Sequence, residues 1–153
     1  MSAKSERYKR VYTQLEELFV KTSDPISRMS TTASLLHNKF DYFFWTGFYR
    51  LVDGELVVGP YQGQIACLLL KKHVGVCWAA IDNDKNIIVP DVHKFPGHIA
   101  CDSRSMSEIV IPLRDEKGTI VGVLDVDSAE LNSFDKDDET GLTSIAELIY
   151  NRV

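Results

Sequence analysis

Apolar residues recur at helical spacing at both ends of this chain and at a spacing of two across its middle. That change of period limits the fold more than any other feature of the sequence. Near the N-terminus, Tyr8, Val11, Tyr12, Leu15, Leu18 and Phe19 form one helical stripe. A second helix is expected to open at Asp24, a capping residue, with Pro25 in the first helical position, where a missing N–H costs nothing. Its inward stripe reads Ile26, Met29, Ala33, Leu36 and Phe40. A last helix begins where Asp135, Asp137, Asp138 and Glu139 gather negative charge suited to a helix N-terminus, and it turns Leu142, Ile145, Ala146 and Ile149 inward.

Between the helices the alternation predicts strands over residues 43–51 and 55–58, joined by the turn Val52-Asp53-Gly54, and further strands over 86–89, 107–113 and 119–127. Gly59-Pro60-Tyr61-Gln62-Gly63 reads as a turn, and residues 76–81 as a short helix. The result is an α+β domain: a central antiparallel sheet with the N- and C-terminal helices packed on one face and a ligand pocket on the other. Residues 1–40 would supply the N-terminal helices, 41–131 the sheet and pocket loops, and 132–153 the C-terminal helix of a single domain, the usual number for 153 residues.

An apolar fraction of 44% is enough for a core and excludes wholesale disorder. With 17 basic and 22 acidic residues the net charge is −5, which argues against nucleic-acid or anionic-membrane binding, since both need a basic face. No apolar run approaches the roughly 20 residues that span a bilayer, and MSAKSERYKR lacks the hydrophobic segment of a secretory signal. A cytoplasmic protein is expected. Its three cysteines, an odd number, do not suit a stapled secreted scaffold.

Alternation places Val121, Val123, Asp125 and Asp127 on one strand face, and Glu108 with Val110 on one face of the strand before it. Each acid alone is readable as a strand end. Antiparallel pairing of the two strands would instead gather all three carboxylates on one surface, suited to a cationic group such as an amine or to shared proton chemistry. Trp45, Gly47, Tyr49 and Leu51 also share a face, either as core or as an apolar cage for a thioether-like group. Cys101 ends a loop dense in reactive side chains. It reads as a buried thiol, as part of a metal set with His93, His98 and Cys67, or as a redox group paired with Cys67 or Cys77. The chain lacks the paired spacings of familiar zinc sites, so no metal is expected.

Several strings together resemble the free methionine-(R)-sulfoxide reductases, single-domain enzymes of the GAF fold. They are Trp45-Thr46-Gly47-Phe48-Tyr49, Gly59-Pro60-Tyr61-Gln62-Gly63 with Ala66-Cys67, Gly75-Val76-Cys77, Pro96-Gly97-His98-Ile99-Ala100-Cys101-Asp102, Ser107-Glu108-Ile109, and Gly122 to Asp127. The resemblance implies that Cys101 is the nucleophile, Cys67 the resolving cysteine and Cys77 an auxiliary. It implies that Glu108, Asp125 and Asp127 hold the substrate amine and help protonate the sulfoxide oxygen, and that Trp45 and Tyr49 cage the substrate methyl. The implied substrate is free methionine (R)-sulfoxide. The implied cycle runs through a Cys101 sulfenic acid and a Cys67–Cys101 disulfide recycled by a thioredoxin-type reductant, with no cofactor. The preference for the R epimer comes wholly from the resemblance. Trp78 stands where the family usually has glycine, and His73-Val74 replaces its usual approach to Gly75. A non-catalytic GAF-type sensor of a small ligand is the rival reading, and analogy with the fold allows a homodimer. Carboxylates near Cys101 would oppose a thiolate there, so compensation is expected from His98, from backbone N–H groups or from the substrate ammonium.

Overall fold

The computed structural model describes residues 1–98 and 102–151. Helices α1 (Ala3–Phe19) and α2 (Pro25–Lys39) precede strands β1 (Trp45–Val52), β2 (Glu55–Gln62) and β3 (Leu69–Leu70). Helix α3 (Val76–Asn83), strand β4 (Ile87–Val89), a 3-10 turn (Val92–Lys94), strands β5 (Ser107–Arg114) and β6 (Ile120–Ser128), and helix α4 (Lys136–Glu147) complete the described elements. The six strands form one sheet in the order β3-β2-β1-β6-β5-β4, with every neighbouring pair antiparallel. This is an α+β domain of the expected kind.

Local chemistry explains where the helices begin. Ser2 accepts from the Ser5 amide at 3.0 Å, and Asp24 accepts from the Ser27 amide at 2.8 Å ahead of Pro25. Asp135 and Asp138 form a reciprocal capping box at the start of α4. Helices α1, α2 and α4 pack on one face of the sheet against Phe48, Ile109, Ile111, Leu113, Leu124 and Val126. The opposite face carries Trp45, Tyr49, Val110 and Val123 under α3 and its flanking loops. Alternation along β1, β5 and β6 therefore divides each strand between two separate cores.

Two expectations are corrected. Ile26 is 40% exposed, not part of the inward stripe. The buried arc of α2 is Arg28, Met29, Thr32, Ala33 and Leu36, and at 100° per residue Ile26 falls about a quarter turn from its centre. Arg28 is the residue the apolar pattern missed. Its guanidinium donates to the carbonyls of Phe19, Thr22, Leu148 and Asn151 at 2.7–2.9 Å, tying the ends of α1 and α4 together. The second correction concerns residues 59–63. The chain does not turn at Gly59, because β2 continues to Gln62. The register steps from Gly47↔Tyr61 to Tyr49↔Val58, so Gly59 and Pro60 together face Phe48 in a bulge. β3 pairs only with Leu56 and Val57, so Pro60 lies beyond it on an unpaired edge, where its lack of an N–H breaks no ladder bond. The remaining expected strands and the short helix are present, with ends shifted by a residue or two.

Candidate active site

Strand register assembles the acids. Glu108 of β5 stands directly opposite Asp127 of β6, Val110 opposite Asp125, and on the other side of β6 Trp45 faces Asp127 and Gly47 faces Asp125. All three carboxylates line one cleft on the sheet face away from α1, α2 and α4. Glu108 is 5% exposed and Asp125 4%, while Asp127 is half-buried nearer the mouth. Burial and the charges of Asp125 and Asp127 hold the Glu108 pKa well above the carboxylate range. Burial, then Asp125, does the same for Asp127. Asp125 is raised by burial, while contacts from Glu108 and Cys77 pull it back, so it is the acid best placed to carry charge. Its Oδ1 is buried with no hydrogen-bond partner among the described residues.

Helix α3 covers this cluster with its first turn. The Cys77 thiol is free and 5% exposed, and its Sγ lies with carboxylate oxygens of Glu108 and Asp125 within 4.8 Å of one another. Burial, then the charges of Asp125 and Glu108, pushes the thiol pKa up, so Cys77 is a protonated thiol beside a carboxylate. Gly75 caps the helix at φ +89°, a conformation open to glycine, and no side chain among the described residues caps the α3 N-terminus. Val74, Gly75 and Val76 line the cleft, so the first-turn amides and the positive end of the helix dipole border the acids.

The apolar wall is Trp45 and Tyr49, stacked with ring centroids 5.7 Å apart, and Tyr61 stacks on the far side of Trp45 at 5.2 Å. The indole N–H donates to the Gln64 carbonyl at 3.1 Å, which fixes the ring plane. Gly47 makes this packing feasible: a Cβ there would stand 2.3 Å from the Tyr61 Cβ and 2.7 Å from the Trp45 ring. Burial and the Asp125 charge push the Tyr49 pKa up, so its phenol remains a neutral donor.

The structure therefore brings Trp45, Tyr49, Cys77, Glu108, Asp125 and Asp127 to one cleft. Cys67 is half-buried between β2 and β3 beside the cleft residue Ala66, and it is disulfide-bonded. Cys101 lies outside the described residues. His98 reaches the cleft wall, but burial and then His93 depress its pKa, so at neutral pH it brings an uncharged imidazole and not the positive charge expected of it. His93 is turned to Asp91 at 3.2 Å. Sequence reasoning also missed Asp102 and Ser105 at the mouth and the backbone of the α3 N-terminus. Asp102 was legible only as the last letter of the Pro96-to-Asp102 string. It is held ionised by Arg104, 2.8 Å away.

Fold and cleft together define a domain of the GAF class with an acidic, thiol-bearing pocket. A family model described as GAF domain matches residues 29–151. GAF domain-containing protein A of Dictyostelium discoideum is 50% identical over 150 residues, covering 97% of this chain and 94% of that one. The free methionine-R-sulfoxide reductase of Escherichia coli is 39% identical over 142 residues, covering 93% and 86%. The crystal structure of the free methionine-R-sulfoxide reductase of Neisseria meningitidis, in complex with its substrate, superimposes with a TM-score of 0.91 at 38% identity, covering 97% and 89%. The chain belongs to the GAF family and, within it, to the free methionine-(R)-sulfoxide reductases. No helix among the described residues is long and apolar enough to cross a membrane.

Proposed function

We propose that this protein reduces the R epimer of free methionine sulfoxide to methionine, drawing electrons from a thioredoxin-type dithiol. The observation that carries the reading is the buried Asp125 carboxylate, one oxygen unpartnered among the described residues, set with Glu108 and Asp127 in a cleft that the α3 N-terminus also borders. A free amino acid is complementary to that pair of surfaces. Its ammonium meets the carboxylates, its carboxylate meets the α3 amides, and its methylthio end rests on Trp45 and Tyr49. A methionine inside a polypeptide has neither terminal charge.

The chemistry follows from the same groups. A sulfoxide oxygen leaves sulfur only once protonated, and Glu108 is the proton donor, its pKa held well above the carboxylate range first by burial and then by the charges of Asp125 and Asp127. The Cys101 thiolate attacks the substrate sulfur, the oxygen passes to Cys101 as a sulfenic acid, and methionine departs with both bonding electrons. The Cys67 thiol then displaces water from Cys101, giving a disulfide. An external dithiol reduces that disulfide by two electrons and is itself oxidised. A bonded Cys67 beside a free Cys77 supports this division of labour. Cys77, held as a thiol, acts as a donor to Asp125 and not as the nucleophile. The resident charge of the cleft is negative, so the substrate ammonium supplies the compensation that His98 does not.

The test is an NADPH-coupled assay with thioredoxin and its reductase. Free methionine R-sulfoxide, the S epimer and a peptide-bound sulfoxide are offered in parallel. Turnover on the free R form, abolished in Cys101→Ser, is the expected result. Equal turnover of the peptide, or full activity in Cys101→Ser, would overturn the reading.

A further inference from the structure

We propose that the reduced protein, with no amino acid in its cleft, binds one thiophilic divalent cation of the zinc type through Cys77, Glu108 and Asp125. The donors are one thiol sulfur and two carboxylates, all buried, with ligand atoms within 4.8 Å of one another. Donors held at 2.0–2.3 Å around a tetrahedral ion stand roughly 3.5 Å apart, so the three need draw in by little more than about 1 Å. A second, independent observation points to the same place. Asp125 lines the cleft, and its Oδ1 is buried with no hydrogen-bond partner among the described residues, so one carboxylate oxygen of the cluster is left for an ion to satisfy.

The donor set selects the ion. Magnesium and calcium are bound by oxygen shells and gain nothing from a buried sulfur, whereas thiolate with carboxylate suits zinc. Three protein donors leave a fourth position open toward the cleft, as in zinc sites that exchange a water. Binding trades protons for the ion: Cys77 gives up its thiol proton and Glu108 the proton it holds, so uptake weakens as pH falls. The sulfur required is Cys77, not the redox pair. The site therefore exists only while Cys77 is reduced, and does not depend on the sulfoxide chemistry above.

Cobalt(II) is the probe, because a thiolate ligand gives it a near-ultraviolet charge-transfer band with intense visible bands. The reduced, metal-free protein is titrated anaerobically, and zinc is then added to displace the cobalt. One equivalent should bind. The band should persist in the Cys67→Ser/Cys101→Ser double variant, where Cys77 is the sole thiol, and vanish in Cys77→Ser. Asp125→Asn should weaken cobalt binding by at least roughly tenfold, and far-ultraviolet circular dichroism checks that each variant is folded. Absence of the band, its survival in Cys77→Ser, or its loss from the double variant would overturn the proposal. No turnover is measured, so a protein that binds cobalt but reduces no sulfoxide would keep this inference and lose the preceding one.

Discussion

Asp138 and Asp125 are both buried carboxylates, one on each side of the sheet, and their surroundings are opposite. Asp138, fully buried under α1, accepts from the Tyr8 hydroxyl at 2.7 Å, the Tyr42 hydroxyl at 2.5 Å, the Lys4 ammonium at 2.8 Å and the Asp135 amide at 2.8 Å. Asp125, 4% exposed on the cleft side, leaves one oxygen without a partner among the described residues and stands beside a second buried acid. Arg28 repeats the pattern of Asp138, with four carbonyls satisfied from one guanidinium. A buried charge whose partners are supplied by the chain holds elements together. A buried charge without them is a cost to the folded state that a ligand can relieve. Asp138 and Arg28 are finished by folding; Asp125 is finished by what binds.

The largest effect should come from breaking the finished side. Asp138→Ala leaves two tyrosine hydroxyls and the Asp135 amide without their acceptor and takes from the Lys4 ammonium one of its two carboxylates, and should cost about 3–5 kcal/mol in urea unfolding. A loss below that of an ordinary surface substitution would show that the network does not tie α1 to α4. Asp125→Asn should do the reverse: kcat/KM for the sulfoxide falls by roughly 10²-fold or more, while the melting temperature of the ligand-free protein holds or rises. If this variant unfolded as readily as Asp138→Ala, the contrast between the two faces would collapse.

Gly47→Ala sharpens the contrast from within the sheet. The added methyl meets Tyr61 and the Trp45 ring, so stability should drop by about 1–3 kcal/mol and KM should rise as the indole is displaced. The smallest effect is one of pH. Because Glu108 holds its proton to a higher pH in the fold than in the unfolded chain, raising pH from the ordinary carboxylate range toward that raised pKa erodes stability. Glu108→Gln removes this contribution, so its stability relative to the parent should be greater at pH 8 than at pH 4, read from thermal melts across that range. A difference that grew toward acid pH would mean that Glu108 is ionised in the fold.

Much of this was legible in one dimension. Alternation along 107–113 and 119–127 assigned Glu108, Asp125 and Asp127 to one side, because successive side chains on a strand point to opposite faces whatever surrounds them. Asp24-Pro25 marked the start of α2 for an equally local reason. Residues 59–63 were misread because Gly and Pro signal a turn in isolation, whereas a bulge opposite Phe48 and an unpaired edge let the strand run on through them. Arg28 and Ile26 exchanged places because periodicity weighs apolarity and cannot see four carbonyls converging from two other helices.

By itself, the sequence determined which residues share a face, where helices start, and that three acids lie on two strands able to pair. These are consequences of backbone geometry over a few residues. Long-range packing alone sets Glu108 opposite Asp127, holds Cys77 of the first turn of α3 beside Asp125, and leaves one oxygen of Asp125 without a donor among the described residues. Desolvation and hydrogen-bond satisfaction depend on what packs over a group from distant parts of the chain, and no local pattern records that.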